Sequence, residues 1–160
     1  MRALLGLGAN LGDPVATLNE AKARVGRLGT VTAASALYRT PPWGVTDQPA
    51  FVNAALALET PLDPNALLAA LKELERELGR VASERWGPRA IDLDILDVDG
   101  IRRDDPHLTI PHARLFERAF ALVPLAEIEP AFAAARDMLP PDDLAAVERI
   151  GAFEREDHLR

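Results

Sequence analysis

Apolar and polar positions follow two kinds of pattern along the chain. Short apolar runs and alternation with a period of two residues predict strands. Residues 2–8, RALLGLG, are almost continuously apolar, as in a strand buried on both faces. TVTAASALYRT (30–40) and AIDLDIL (90–96) predict further strands, and FVNAALALE (51–59) alternates. The alternation in 51–59 predicts two faces, one with Val52, Ala54, Leu56 and Leu58 and the other with Phe51 and Asn53.

Two longer segments repeat with the period of an amphipathic helix. In each, an Asp-Pro pair (13–14 and 63–64) supplies an N-cap and a first helical residue. Gly29 and Gly79 predict where the two helices end. The buried stripes expected from the spacing are Val15, Leu18, Val25 and Leu28 in the first helix, and Leu67, Leu71, Leu74 and Leu78 in the second.

The remaining segments add loops and short elements. PPWGVTDQP (41–49) predicts a stiff loop, DVDG (97–100) a hairpin turn, and the last part of the chain helices near 113–119 and 142–150. The order of elements is therefore βαββαβ with additions. It predicts an α+β fold, a ferredoxin-like sandwich with an additional hairpin and C-terminal helices, in a single domain over residues 1–160.

Composition and charge narrow the class of protein. With 160 residues, 48% of them hydrophobic, the chain can bury a core of ordinary size. It has no cysteine, which excludes disulfides and thiolate metal sites. The formal net charge of −7 disfavours a nonspecific grip on nucleic acid or on an anionic membrane, and no run reaches the ~20 apolar residues of a spanning helix. We expect a cytoplasmic, monomeric protein that binds small molecules.

Two carboxylates interrupt the last predicted strand. Asp92 and Asp94 are two residues apart, so they project from the same face roughly 6.5–7 Å apart, while the intervening apolar residues face the core. Two carboxylates at that spacing can share one Mg²⁺ or hold two, particularly where substrate phosphates complete the coordination. The alternative is the solvent-facing side of an edge strand whose aspartates pair with Arg85 and Arg89.

Arginines are concentrated just before this strand. Arg80, Arg85 and Arg89 fall within ten residues, and planar guanidinium groups suit phosphate oxygens. Trp86 lies among them, where it could stack on a flat base or anchor the loop. Surface ion pairs contribute only ~0–1 kcal/mol, so stability gives little reason to gather these charges. A solvated basic turn is the alternative interpretation.

The glycine-rich start does not predict a dinucleotide site. GLGANLGD (6–13) has the spacing G-x-G-x-x-x-G, and the following helix opens with Asp13, a carboxylate where a pyrophosphate would have to bind. No phosphate-binding G-x-x-x-x-G-K-[ST] loop occurs either. The glycines more simply allow a neighbour or a ligand to approach the chain closely.

Aromatic and polar side chains in two other stretches suit a flat ligand. Phe51 and Asn53 share a face and combine a stacking surface with an amide that donates and accepts hydrogen bonds. His112 could act as a base, ligand or donor, and Arg118 with Phe120 forms a cation–aromatic pair. For each of these a purely structural role remains the alternative.

Three stretches together resemble one family. YRTPPWGVTDQPAFVNAALALET (38–60), GRVASERWGPRAIDLDIL (79–96) and LTIPHARLFERAFALVPLAEI (108–128) are similar to 6-hydroxymethyl-7,8-dihydropterin pyrophosphokinases, over about residues 4–130. The resemblance implies a ferredoxin-like fold and transfer of diphosphate from ATP to the hydroxymethyl pterin with two Mg²⁺ ions, in folate biosynthesis. A non-catalytic nucleotide–Mg²⁺ binding module is the alternative function; an RNA-binding sheet is disfavoured by the charge.

The resemblance also implies roles for individual residues. It makes Asp92 and Asp94 the metal ligands and, with Arg80 and Arg89, the catalytic residues. The residues that it places at ATP are Glu75, Arg80, Arg85, Trp86, Arg89, Ile95, Thr109, His112 and Arg118. Those at the pterin are Thr40, Pro41, Pro42, Trp43, Phe51, Asn53 and Phe120.

Overall fold

The computed structural model describes residues 1–41, 49–82 and 91–154, and of residues 80–82 the backbone only. Within these ranges six strands form one antiparallel sheet. The strands are β1 (Arg2–Ala9), β2 (Thr30–Ala34), β3 (Leu37–Thr40), β4 (Phe51–Glu59), β5 (Asp92–Val98) and β8 (Glu148–Gly151). Strand β1 lies between β4 and β5, β2 and β3 pair with the other edge of β4, and β8 pairs with β3.

Two long helices, α1 (Pro14–Val25) and α2 (Pro64–Ala82), pack on one face of this sheet. Both begin as predicted, because Asp13 accepts the N–H of Ala16 (3.1 Å) and Asp63 that of Ala66 (2.8 Å). The predicted stripes are confirmed, as is the ferredoxin-like order of the elements. The core on this face includes Leu18, Val25, Leu67, Leu71, Leu74 and Leu78 from the helices and Val52, Ala54, Leu56, Leu58, Leu93 and Ile95 from the sheet.

A third helix, α3 (Ala119–Ile128), covers part of the opposite face of the sheet. Leu115, Leu122 and Leu125 pack there against Leu4 and Leu96. The short helices α4 (Ala133–Asp137) and α5 (Pro141–Ala145) extend this layer. The part of the face that these helices leave uncovered lines a cavity.

Both helix ends were predicted wrongly. The helix α1 ends at Val25, with Gly26 as its C-cap, and the chain continues through a turn to Gly29. The helix α2 continues past Gly79 to Ala82, since a glycine with ordinary helical dihedrals lowers helix stability without ending the helix. In both cases a glycine was expected to end the helix, but the helix ends at a different residue.

The predicted strand 30–40 is two strands, β2 and β3. Ser35 still pairs with Ala55 of β4, but the N–H of Ala36 leaves the sheet and donates to the carboxylate of Glu127 on α3 (3.0 Å). The register of pairing with β4 shifts between Val31 and Ala33 within β2. A side chain remote in sequence therefore divides a segment that is continuous by its local pattern.

The turn at 97–100 forms, with Gly100 in the left-handed region (φ 74°), but it does not produce a hairpin with β5. Instead β6 (Arg103–Asp104) pairs with β7 (Thr109–Ile110) in a separate sheet. Arg103 donates to Asp105 and to Asn65 at the start of α2 (2.8 Å), which holds this segment beside the helix.

The two C-terminal helix predictions were wrong in position. Near 113–119 the chain forms only a 3₁₀ turn (Leu115–Glu117), and α3 begins at Ala119 after an extended Arg118. In place of a helix over 142–150, α5 ends at Ala145 and β8 follows. The physical reason for β8 is long-range, because it covers the edge of β3 that would otherwise be open. Among the described helices, none combines the length and apolar character needed to cross a membrane.

Candidate functional site

Two rows of paired residues cross the floor of the cavity. In one row Gly8 of β1 is opposite Asn53 of β4 on one side and Asp92 of β5 on the other. In the next row Gly6 lies between Ala55 and Asp94. Residues directly opposite in an antiparallel sheet share a face. The side chains of the two aspartates and the asparagine therefore face the same cavity. In each row, the residue of β1 between the two outer strands is a glycine.

The glycine at position 8 makes room for the asparagine. A Cβ on Gly8 would lie 2.8 Å from Nδ2 of Asn53, a contact too close for a side chain to keep its position. Asn53 is buried, and its Oδ1 accepts a hydrogen bond from the hydroxyl of Thr40 (3.0 Å). With the oxygen occupied, the amide presents its N–H donors on the side of Gly8.

The two aspartates are half-buried on the cavity side of β5, and the residues between and beside them, Ile91, Leu93 and Ile95, lie in the core as predicted. Among the described residues no group of three or more His, Asp or Glu is arranged to hold a metal ion. A divalent ion bound to the pair would therefore need oxygens from water or from a ligand. That donor set fits Mg²⁺, which is usually bound by one or two carboxylates plus waters and phosphates.

A cationic segment borders the cavity beside β5. The N–H of His112 donates to the carbonyl of Leu96 (2.8 Å), which fixes this segment against the strand just beyond Asp94. The Nδ1 atom of His112 accepts the N–H of Arg114 (3.2 Å), so the neutral imidazole carries its proton on Nε2. The guanidinium of Arg118 lies over the ring of Phe120, 5.5 Å from its centre, which is the predicted pair.

The cavity has a volume of about 500 Å³ and brings together residues from five parts of the sequence. Two of its carboxylates come from β5, and its cations and a third carboxylate come from residues 112–118, with aromatic rings and an amide at the β3–β4 end. The predicted site residues that line it are Thr40, Pro41, Phe51, Asn53, Asp92, Asp94, His112, Arg118 and Phe120.

Other predicted residues do not line the cavity or cannot be placed. The side chain of Ile95 is in the core on the opposite face of the sheet, so a contact with a ligand could come only from its main chain. Thr109 pairs with Asp104 in the small sheet, and the carboxylate of Glu75 accepts the N–H of Leu93 (2.7 Å). Outside the described part of the chain lie Pro42, Trp43, Arg85, Trp86, Arg89 and the side chain of Arg80.

Sequence reasoning missed several residues of the cavity wall. Arg114, just before the 3₁₀ turn, and Glu117, at its end, line the cavity and approach each other (3.7 Å between Nε and Oε2). Their spacing of three residues was a possible signal, but a helix predicted there gave no reason to direct them towards a site. Leu96 and Leu115 resemble ordinary core leucines, and only the fold reveals that they also border the cavity.

Comparisons with known proteins show which chains this one is similar to. A relative from Methylorubrum extorquens, named 2-amino-4-hydroxy-6-hydroxymethyldihydropteridine pyrophosphokinase, is 46% identical over 155 residues, covering 93% of this chain and 98% of its own. The folate synthesis bifunctional protein of Pisum sativum is 42% identical over 126 residues, which are 78% of this chain but only 24% of that protein.

Solved structures support the fold. The wild-type HPPK-DHPS of Plasmodium falciparum matches with a TM-score of 0.66 and 17% identity, covering 85% of this chain and 40% of that one. At this identity the likeness concerns the fold alone. Residues 4–130 match the family described as 7,8-dihydro-6-hydroxymethylpterin-pyrophosphokinase (HPPK), a range that contains every predicted site residue. On this match, and on the near full-length similarity to the Methylorubrum protein, the chain belongs to the 7,8-dihydro-6-hydroxymethylpterin-pyrophosphokinase family.

Proposed function

We propose that the chain transfers the diphosphate of ATP to the hydroxymethyl oxygen of 6-hydroxymethyl-7,8-dihydropterin, yielding AMP and the pterin diphosphate in folate biosynthesis. We propose further that residues 1–160 act as one domain. The observation that carries the proposal is the row Asp92–Gly8–Asn53, which joins a carboxylate end and an amide–aromatic end of one cavity. Strands are spaced ~4.8 Å apart, so the outer two backbones of this row are ~10 Å apart. A bicyclic ring with a hydroxymethyl arm suits that distance.

The pterin is assigned to the β3–β4 end of the cavity. Phe51 and Phe120 border this end and offer ring faces for stacking. Asn53 would donate its N–H groups to acceptors on the pterin edge, because Thr40 occupies its oxygen. Pro41 adds apolar contact. By family resemblance Pro42 and Trp43 complete this pocket.

The triphosphate is assigned to the β5 end of the cavity. Asp92 and Asp94 would hold two Mg²⁺ ions there, and their donor set fits such ions. When bound, Mg²⁺ neutralises phosphate charge and so lowers the barrier to attack on the β-phosphorus. Phosphoryl-type transfer needs little covalent participation by the protein. The main contribution of these side chains is therefore to position the triphosphate and its metal ions.

Donor groups of residues 112–118, which border the cavity beside β5, would bind the phosphate oxygens. The Nε2–H of His112 is available as a donor because its Nδ1 is already an acceptor. Arg118 provides a charge beside the pterin end, and its stacking on Phe120 orients it. By family resemblance Arg85, Trp86, Thr109 and the main chain of Ile95 serve the ATP side, and Arg80 and Arg89 stabilise charge on the leaving oxygen.

The aspartate pair provides the test of this function. We expect Asp94→Asn, which keeps the shape but removes the charge, to reduce pterin-dependent AMP formation at least ~10²-fold, a loss typical of one preorganised electrostatic group. Far-UV circular dichroism should stay native, since Asp94 lies on the cavity side of the sheet. The measurement is AMP released from ATP and Mg²⁺ with and without the hydroxymethyl pterin.

A matched control lies on the same strand. Asp97 does not line the cavity, and its partial burial raises the pKa of its carboxyl, so its charge is not favoured where it stands. Asp97→Asn should therefore retain activity. Full activity in Asp94→Asn would remove the metal assignment. ATP binding without AMP formation in the wild-type chain would instead favour the non-catalytic binding module.

A further inference from the structure

Glu75 makes a contact that its resemblance-based role does not explain. Its Oε2 atom accepts the main-chain N–H of Leu93 at 2.7 Å, and Leu93 is the residue between Asp92 and Asp94. The side chain of Glu75 is only 9% exposed, and its other oxygen lies 3.6 Å from Nζ of Lys72. The carboxylate thus lies between helix α2 and strand β5, on the outer side of the strand.

The contact between Glu75 and Leu93 matters because β5 lies at an edge of the described sheet, where some backbone N–H groups have no strand to pair with. The strand pairs with β1 on one side and ends the larger sheet on the other, within the described residues. Alternate N–H groups of such an edge strand have no strand partner, and that of Leu93 is bonded to a side chain instead. A hydrogen bond from N–H to a carboxylate is about twice as strong as one between neutral groups.

The same contact fixes the geometry of the two aspartates. Asp92 and Asp94 are joined directly to Leu93, whose side chain is already locked in the core at 1% exposure. The hydrogen bond from Glu75 to the N–H of Leu93 therefore restricts backbone rotation on both sides of Leu93. This keeps the Cα–Cβ bonds of Asp92 and Asp94 pointing in fixed directions. Groups that orient metal ligands in this indirect way typically contribute 10–100-fold in metal affinity or activity.

We infer that Glu75 is a positioning residue for the Asp92–Asp94 pair and acts through the N–H of Leu93 rather than by contact with ATP. This rests on the proposed function, in which the pair binds divalent ions. Glu75→Leu removes the acceptor, whereas Glu75→Gln keeps an oxygen at the same place. Glu73→Leu is the matched control, because Glu73 is on the same helix, is 54% exposed and pairs with Arg76 on the helix surface.

The experiment has two readouts. The first is amide hydrogen exchange of Leu93 by NMR in the metal-free protein. The second is affinity for Mn²⁺ in the presence of α,β-methylene-ATP, followed by the Mn²⁺ electron paramagnetic resonance signal. For Glu75→Leu we expect faster Leu93 exchange and an affinity lower by about 10-fold or more. Glu75→Gln should stay within about fivefold, because a neutral acceptor keeps part of the bond, and Glu73→Leu should match wild type.

The outcomes separate this inference from the proposed function. If wild type binds Mn²⁺ with the analogue no better than Asp94→Asn, the metal assignment and the proposed function fail. If wild type binds and Glu75→Leu binds equally well with fast Leu93 exchange, the positioning role is overturned. If Glu75→Leu does not fold, the amide exchange rate of Leu93 in the wild-type protein is the test. Protection of this amide supports the positioning role, and exchange at the rate of an unfolded chain overturns it.

Discussion

The absence of a side chain at Gly8 shapes the site as much as the polar residues around it. Gly8 is central in the row that joins Asn53 to Asp92, and its backbone is not in the left-handed region. The requirement for glycine is therefore one of space, not of conformation. The sequence pattern G-x-G suggested close approach, and the structure identifies the amide of Asn53 as the group that approaches.

Gly8→Ala should therefore impair binding of the pterin more than folding. The new Cβ would lie 2.8 Å from Nδ2 of Asn53, so the amide must turn and lose its bond to Thr40. Loss of one or two hydrogen bonds at ~1 kcal/mol each predicts a rise of roughly 5–30-fold in the KM for the pterin. Steady-state kinetics with the pterin varied at saturating ATP would measure it.

Gly6→Ala is the comparison for this substitution. The nearest atoms to its Cβ would be side-chain carbons of Leu96, at 3.2–3.3 Å, and these can move slightly. We expect a smaller change in the KM for the pterin, because neither Asn53 nor Thr40 is displaced. An equal rise in both variants would show that cavity volume, and not the orientation of the amide, controls pterin binding.

At the scale of elements, the junction between α1 and β2 depends on close backbone contact. A Cβ on Gly29 would overlap the carbonyl oxygen of Glu59 at the end of β4 and lie 3.0 Å from the carbonyl carbon. The hydroxyl of Thr60 donates to the carbonyl of Leu28 (2.6 Å) and holds the two segments together. Gly29 is thus needed where the turn passes β4, although it does not end the helix.

Gly29→Ala should destabilise the fold by about 3 kcal/mol or more, since two backbones must separate to admit one methyl group. Gly26→Ala is the matched control. Gly26 is in the right-handed helical region, and its Cβ would have one tight contact, 3.2 Å from the carbonyl oxygen of Ala23. We expect a change within about 1 kcal/mol there. Urea denaturation of both variants provides the comparison, and similar midpoints would contradict this explanation.

At the scale of the whole molecule, contacts distant in sequence fasten the layers together. The hydroxyl of Tyr38 on β3 donates to Glu127 on α3 (2.6 Å), joining the sheet to the helix beside the cavity. The last of the described residues returns to α1, where Glu154 donates its N–H to Asn19 (2.7 Å). The region after residue 130, beyond the family match, thus completes the sheet through β8 and contributes Leu139 to the core.

The contact between Tyr38 and Glu127 predicts a stability change at high pH. Burial, and then the hydrogen bond to Glu127, raise the pKa of the Tyr38 hydroxyl to about 12, against an ordinary value of ~10. The folded state keeps this proton where the unfolded chain releases it. The free energy of unfolding should therefore be unaffected by this group below pH ~10 and fall as the pH rises towards about 12.

The titration can be followed directly, because Tyr38 is the only tyrosine in the sequence. The ultraviolet absorbance of tyrosinate should appear in the folded protein well above pH ~10, the ordinary pKa. Glu127→Gln should lower the midpoint, since a neutral acceptor no longer opposes ionisation of the phenol. A midpoint near the ordinary value in the folded wild type would refute the assigned environment.

The amino-acid sequence by itself determined the elements whose signals are local. The Asp-Pro caps, the leucine stripes and the alternation around Asn53 and Asp92 correctly predicted α1, α2, β4 and β5, because each depends on neighbours within a few residues. The ferredoxin-like order followed from them. The motifs also indicated which side chains to consider for a site.

Only the tertiary structure decided what depends on partners far along the chain. Glu127 divides β2 from β3, β8 forms where a helix was expected, and Arg114 joins the cavity wall. The contact of Glu75 with Leu93 is of the same kind. No local signal decides any of these features, because the free energy that favours each comes from pairing or burial against residues many positions away.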